Sequence, residues 1–181
     1  MTAWTQPFAR LRDLVFFRAG PQDMPYAPRT LIALLVIGAV LEVAFDLHQG
    51  NSGAMIAGAN IGTLAALAVL FALLRWRGRP ERFVQTALSL VATGLLFELV
   101  LLPLVLVIGL PLPPNAQLSP RQTAALLALF VLALWQVAIS INILRQALEI
   151  PVAGGVLALL AIGFADLMAS VLVAAAPGIG A

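Results

Sequence analysis

The chain has no cysteine, no lysine and a single histidine, His48. The absence of cysteine excludes disulfides, thiolate metal sites and cysteine nucleophiles. A single histidine excludes haem ligation by a histidine pair and leaves the serines without a histidine base deep in the chain's apolar segments. Glycine motifs that cradle phosphates are also missing. We therefore expect no catalytic residue, no cofactor and no enzymatic activity.

Charge is also scarce. Only 10% of the 181 residues are charged and 62% are hydrophobic, and the mean hydropathy is +1.04. Such a composition predicts a chain whose solvent is the lipid bilayer. The ten basic residues are all arginine, and their placement at the ends of apolar runs indicates membrane topology and no nucleic-acid partner. The bias toward arginine, alanine and leucine is typical of a bacterial genome rich in GC, which points to the bacterial inner membrane.

Five apolar runs have the length of membrane-spanning helices, for which about 20 residues suffice. They cover residues 30–47, 54–76, 83–110, 123–148 and 151–176. The predicted fold is an all-α polytopic membrane protein with a single domain of five transmembrane helices over residues 30–176. A short tail, residues 177–181, follows on the outer side.

Residues 1–29 are predicted to form a cytoplasmic segment. Phe8, Leu11 and Leu14 recur at helical spacing beside Arg10 and Arg12, so this stretch is no signal peptide. The pattern favours an amphipathic helix at the headgroup boundary, with a frayed tail as the alternative. The three prolines of residues 20–28 then predict an ordered elbow that leads into the first span.

The arginine count predicts the orientation of the spans. Nine arginines lie before the first span, between the second and third, and at the end of the fourth, whereas Arg121 alone lies on the other side. Positive residues near span ends are retained in the cytoplasm. The amino terminus is therefore expected inside, and the carboxy terminus in the periplasm.

The run at residues 83–110 organises the chain, because it carries Glu98 and Pro103 within a segment that is long enough to cross the membrane. Hydrocarbon penalises an unpaired carboxylate and an unpaired backbone carbonyl, so other helices must surround this one. At about 1.5 Å per residue, polar residues of four spans reach a similar depth. If their helices turn them inward, one polar layer in the outer half of the membrane is formed by Glu42, Asn60, Glu98 and Asp166.

Three interpretations of this layer remain open. Protonated carboxyl groups could simply hydrogen-bond neighbouring helices, or the cluster could form a proton or metal-cation site. A third interpretation is that one carboxylate faces a cationic group on a partner subunit. Glu42, Asp46 and His48 also offer three ligands for a metal such as zinc, but His48 is expected past the helix end and no second histidine exists. We expect solvated polar groups there and no metal site.

Small residues indicate where helices pack closely. Ala54, Gly58, Gly62 and Ala66 form a ridge with four-residue spacing, and the fifth span carries a looser version with Gly155 and Gly163. An internal helix contact is the favoured interpretation over a homodimer seam. Arginines flanking the spans suit anionic lipid headgroups or a docked protein, and we predict such docking for Arg10, Arg12, Arg18, Arg75, Arg77, Arg79 and Arg82.

The arrangement resembles the Yip-domain family of five-span membrane proteins. The features that carry the resemblance are the proline elbow, the closely spaced spans, the segment from Arg82 to Ser89, and Leu134-Trp135-Gln136-Val137 in the fourth span, which passes to the fifth without a real loop. The resemblance implies a non-catalytic membrane scaffold or adaptor that binds partner proteins or lipids. Expected partners are the bilayer, another membrane protein or further copies of the chain. The alternative is a small proton- or cation-coupled transporter or channel subunit that uses Glu42, Glu98 and Asp166.

Overall fold

A computed structural model describes residues 5–109 and 117–176 of the chain. This part is mostly helical and contains no strand, which confirms the predicted fold class. A short helix precedes five helices that are long and apolar enough to cross a membrane, and two short 3-10 turns, Pro21–Asp23 and Pro80–Arg82, lie between them. The helices are α1 (Thr5–Val15), α2 (Pro28–Gln49), α3 (Gly53–Trp76), α4 (Phe83–Ile108), α5 (Pro120–Leu148) and α6 (Val152–Ala174).

The spans differ from the predicted runs by a few residues at their ends, because local capping decides where each helix begins and stops. The Ser52 hydroxyl accepts a hydrogen bond from the Met55 amide and starts α3. Ser119 and Gln122 form a capping box that starts α5 three residues earlier than hydropathy predicts. Gly50 and Gly109 adopt left-handed conformations that end α2 and α4. The proline-rich stretch before α5 and the predicted tail lie largely outside the described residues.

The five spans run up and down in chain order, but neighbours in sequence are not always the principal partners. The most extensive pairing joins α3 to α6, followed by α4 with α5 and α5 with α6. Helix α2 packs mainly against α4, and Leu31 near its beginning is its single buried residue, with 6% of its surface exposed. The far part of α2 is therefore loosely held.

We call the end of the bundle that carries Arg29, Arg77 and Arg145 the arginine end. Much of the core lies in the half of the bundle toward this end, where α1 and the proline elbow pack against the spans. Leu14 and Met24 are buried in the same cluster as Leu74 and Leu148. Apolar burial is thus concentrated at one end of the molecule.

Arginines of the α3–α4 connection bind the last turn of α5. Arg77 donates hydrogen bonds to the carbonyls of Leu148 and Glu149, at 3.1 and 3.4 Å. Arg79 and Arg82 form ion pairs with the Glu149 carboxylate, and Arg82 also donates to two carbonyls one turn earlier. Helix ends leave carbonyls without intrahelical donors and carry partial negative charge, which these guanidinium groups satisfy. We call this cluster of Arg77, Arg79, Arg82 and Glu149 the arginine clasp.

Helix α1 is tied to the spans at its end. The Trp135 indole of α5 donates a hydrogen bond of 3.0 Å to the carbonyl of Val15, the last residue of α1. The Phe16 ring contacts the Trp135 ring edge-on, with 5.9 Å between centroids. The amphipathic helix predicted from the sequence is therefore present and docked.

The elbow is held on the ends of α4 and α5. The Gln85 side-chain amide donates to the Met24 carbonyl at 2.8 Å, and the side chains of Gln22 and Gln146 are hydrogen-bonded at 3.2 Å. Arg10 donates to the Asp23 carbonyl and links α1 back to the elbow. These contacts hold the proline stretch against the ends of the spans.

Candidate functional site

Three of the four residues predicted to form a polar layer line one cavity. Glu42 of α2, Asn60 of α3 and Glu98 of α4 surround a space of about 450 Å³, whose remaining wall is mostly aliphatic. The cavity is an open cleft, and Glu98 itself is exposed on the helix surface. Helix α2 forms the cleft together with α3 and α4, and its fully buried residue, Leu31, lies in its first turn.

Asp166 is placed elsewhere. It lies in the α3–α6 interface, where a Cβ atom built on Gly62 would be 2.5 Å from its carboxylate oxygen. Residues two apart on a helix point about 200° apart, so Gly62 faces α6 while Asn60 faces the cleft. The layer is therefore split between two faces of α3.

A second cavity of about 800 Å³ adjoins the first and shares Glu98 and Gly94 with it. It lies farther from the arginine end, between α2, α4 and α5. Its wall is apolar, with Phe45 and several leucines, while His48 and Gln136 contribute polar groups. We call the two cavities together the α2–α4 groove; it follows α4 from Val91 to Leu106.

Polar side chains in the groove direct hydrogen bonds to their own helices. The Asn60 amide nitrogen donates to the Ile56 carbonyl at 2.9 Å, and the Thr63 hydroxyl donates to the Ala59 carbonyl at 3.4 Å. In both contacts the acceptor carbonyl lies four residues, about one helical turn, before the donor residue. The amide oxygen of Asn60 and the carboxyl groups of Glu42 and Glu98 are the acceptors that this wall presents.

The glycines that were predicted to pack against a neighbouring helix have two kinds of surroundings. A Cβ atom on Gly58 would be 2.5 Å from the Ser170 carbonyl oxygen, so this part of the ridge requires glycine for close approach to α6. Gly155 lies against α5, where a Cβ would be 3.0 Å from the Ile141 carbonyl oxygen. Gly163 is exposed and a Cβ there would meet nothing within 4 Å, so no neighbouring helix in the described part of the chain approaches it, and its packing role stays a prediction. Spacing alone could not show which face of α6 meets a neighbour.

The predicted docking arginines are also divided. Arg77, Arg79 and Arg82 belong to the arginine clasp, a structural role that the sequence interpretation missed. Arg12 pairs with the adjacent Asp13 at 3.1 Å, and Arg18 lies over the Phe16 ring. Arg10 bonds the elbow, and Arg75 is exposed in the last turn of α3. Lipid or partner docking stays a prediction for this set.

His48 lies inside α2, in its last turn, although the sequence placed it past the helix end. The left-handed Gly50 ends the helix two residues later than the apolar pattern suggested. Within residues 5–109 and 117–176 no group of three or more carboxylate, histidine or thiol ligands could hold a metal ion. Glu42, Asp46 and His48 do not form such a group in this part of the chain.

Several groove residues escaped the sequence interpretation. Thr63 is three residues from Asn60, and Gly94 is four residues before Glu98, so both follow the helical spacing of the polar positions. That spacing could have indicated a shared face. Gln136 could not be assigned to the groove, because nothing in the sequence shows which side of α5 meets α2.

Five long apolar helices and a groove with carboxyl groups inside the spans define the class of this chain: it is a multi-pass integral membrane protein. The sequence matches no family model, no curated protein and no solved structure.

Proposed function

We propose that the chain is a non-catalytic scaffold or adaptor of the bacterial inner membrane, which binds a partner protein through the α2–α4 groove. The observation that carries the proposal is Glu98, a carboxyl-bearing residue that is exposed within a spanning helix and lies where both cavities meet. A carboxyl group at membrane depth is costly unless a protein partner covers it. A scaffold needs such a surface and needs no reacting group.

The packing of α2 supports this proposal. Beyond Leu31 its apolar side chains, including Val36 and Val40, are largely exposed, and its contacts are mainly with α4. Small residues line the groove at Gly38 and Gly94, and at Gly94 there is open space beside α4. A loosely held helix with space on its flank suits the reception of another helix. The order of amphipathic helix, elbow and five spans also supports the proposed Yip-domain assignment.

Site-specific photo-cross-linking tests the proposal. A photoreactive amino acid replaces Leu102, which lines the groove, or Leu157, an exposed leucine of α6, as the matched control. After irradiation of native membranes we expect a protein adduct of defined mass at position 102 and none at position 157. The same adduct at both positions, or adducts with lipid alone, would contradict the scaffold function.

A transporter or channel subunit is the second candidate, and the position of Glu42 and Glu98 on the wall of one cavity favours it. Clustered carboxyl groups in a membrane are typical of proton relays. If the chain works in this way, purified protein in vesicles should show proton or cation flux that Glu98→Gln abolishes. A scaffold should show no flux that depends on Glu98.

A further inference from the structure

In its first cavity the α2–α4 groove offers carboxyl groups beside side-chain donors that are engaged with their own helix, and His48 and Gln136 add donors only in the second cavity. Glu42 and Glu98 contribute two carboxyl groups, and Asn60 and Thr63 direct donors to carbonyls one turn back along α3. Leu99, in the adjoining cavity, has a carbonyl to which Pro103 cannot donate, because proline lacks the N–H. The occupant that complements this wall is a cation rich in N–H donors.

The depth of the carboxyl groups decides between a lipid amine and a side chain. Glu42 is seven residues before the end of α2, and Glu98 is ten residues before the end of α4. These separations correspond to about 10 and 15 Å along the helix axes. A lipid amine belongs to the headgroup layer, whereas a side chain on a transmembrane helix is held at its depth by the backbone. The depth favours a helix.

The spans of a second copy of the chain do not supply the cation. The sequence has no lysine, and the arginines within the spans lie at helix ends: Arg29, Arg75, Arg121 and Arg145. The single histidine, His48, is one residue from the end of α2. None of these groups is level with Glu98, so a different protein is the favoured source of the cationic residue.

The groove also has the shape that a helix needs. It follows α4 over the 16 residues from Val91 to Leu106, a length of about 22 Å or four helical turns. Gly94, which lines both cavities, has open space, since a Cβ there would meet nothing within 4 Å. Close approach of backbones at small residues is how transmembrane helices associate.

We propose that the α2–α4 groove binds a transmembrane helix of another protein that carries one lysine or arginine level with Glu42 and Glu98. The inference rests on the scaffold function proposed above and specifies the chemistry of the partner. A basic side chain between two carboxyl groups compensates charges that are expensive in the bilayer. It also sets the depth and rotation of the partner helix, because the cation must meet both carboxyl groups.

Synthetic helices provide the test. The full-length protein in phospholipid vesicles is mixed with dye-labelled leucine–alanine helices of 23 residues that carry one lysine seven residues from an end, or leucine at that position. Energy transfer between the protein and the dye-labelled helix measures the binding of the helix. We expect the lysine helix to bind about tenfold more tightly than the leucine helix, the scale of one or two buried polar contacts.

Variants show whether the groove is responsible. The double variant Glu42→Gln/Glu98→Gln should abolish the preference for the lysine helix, whereas Asp166→Asn, which removes a carboxylate outside the groove, should leave it unchanged. Equal binding of the lysine and leucine helices would overturn the proposal. So would displacement of the lysine helix by an equimolar long-chain amine, or self-association of the chain that depends on Glu42 and Glu98.

The result of the helix-binding experiment can be distinguished from the result of the cross-linking experiment that tests the proposed function. A protein adduct at position 102 without lysine preference would leave the scaffold standing and remove the basic partner. Lysine preference without any adduct in native membranes would support the chemistry of the groove and contradict the scaffold.

Discussion

Glycines of the same spacing pattern meet opposite surroundings in this molecule. A Cβ on Gly62 would clash with the Ser170 hydroxyl and lie 2.7 Å from the Asp166 carbonyl oxygen, whereas Gly163 has open space. At Gly62 the missing side chain is what lets α3 and α6 approach. At Gly163 its absence contributes nothing to packing.

Gly62→Ala should therefore destabilise the protein, because backbone at the clash site cannot move without separating α3 from α6. Overpacking of this kind costs about 1–3 kcal/mol. Thermal unfolding in detergent, followed by circular dichroism, should show a lower Tm. The matched variant Gly163→Ala should leave Tm unchanged or raise it, since alanine is favoured over glycine in a helix by about 0.5–1 kcal/mol. A lower Tm for Gly163→Ala alone would refute the α3–α6 contact described here.

At the scale of elements, α1 illustrates how a hydrogen bond from a distant span adds to apolar burial in docking an amphipathic helix. Its partner is Trp135, which lies thirteen residues before the end of α5 and is partly exposed. The indole N–H satisfies a carbonyl at the α1 end, and the ring receives Phe16. Docking of α1 thus depends on a residue of a span that is distant in sequence.

Trp135→Phe should loosen α1, because phenylalanine keeps an aromatic ring but has no donor for the Val15 carbonyl. The loss of one hydrogen bond is worth about 1 kcal/mol, which corresponds to a roughly fivefold rise in the undocked population. Trypsin cleavage after Arg12 and Arg18 reports this population. Trp76→Phe, at a tryptophan that is 80% exposed, is the matched control and should leave cleavage unchanged. Equal cleavage of both variants would show that the indole does not dock α1.

The existence of the elements could be predicted from the sequence far better than their partners. Runs of apolar residues specify five spans because the bilayer demands length and hydrophobicity, and α2 to α6 follow them closely. Which side of each helix meets a neighbour could not be predicted, since each span is apolar around most of its circumference. Asn60 and Asp166 have similar depth and yet face different sides of α3, which hydropathy cannot distinguish. The arginine clasp was missed because topology alone already explained its arginines.

For the whole molecule, the distribution of arginine predicts that the arginine end lies in the cytoplasm. Because the chain contains no cysteine, a single introduced thiol reports its own location. Gly53→Cys lies at the end remote from the arginines, where a Cβ has open space, and Glu81→Cys lies at an exposed position of the arginine end. In bacterial spheroplasts a membrane-impermeant maleimide should label the thiol at position 53 and reach position 81 only after lysis. Labelling in the reverse order would invert the topology.

The pairing of α3 with α6 has a consequence for how the protein folds while it is being synthesised. Translation proceeds at about 5–20 residues per second, so α3 waits on the order of ten seconds in the bilayer before its main partner has been made. During that interval the face of α3 that carries Gly58 and Gly62 is exposed to lipid. Every truncated product that ends before α6 keeps this face uncovered, which gives a quality-control protease a means of telling unfinished chains from finished ones.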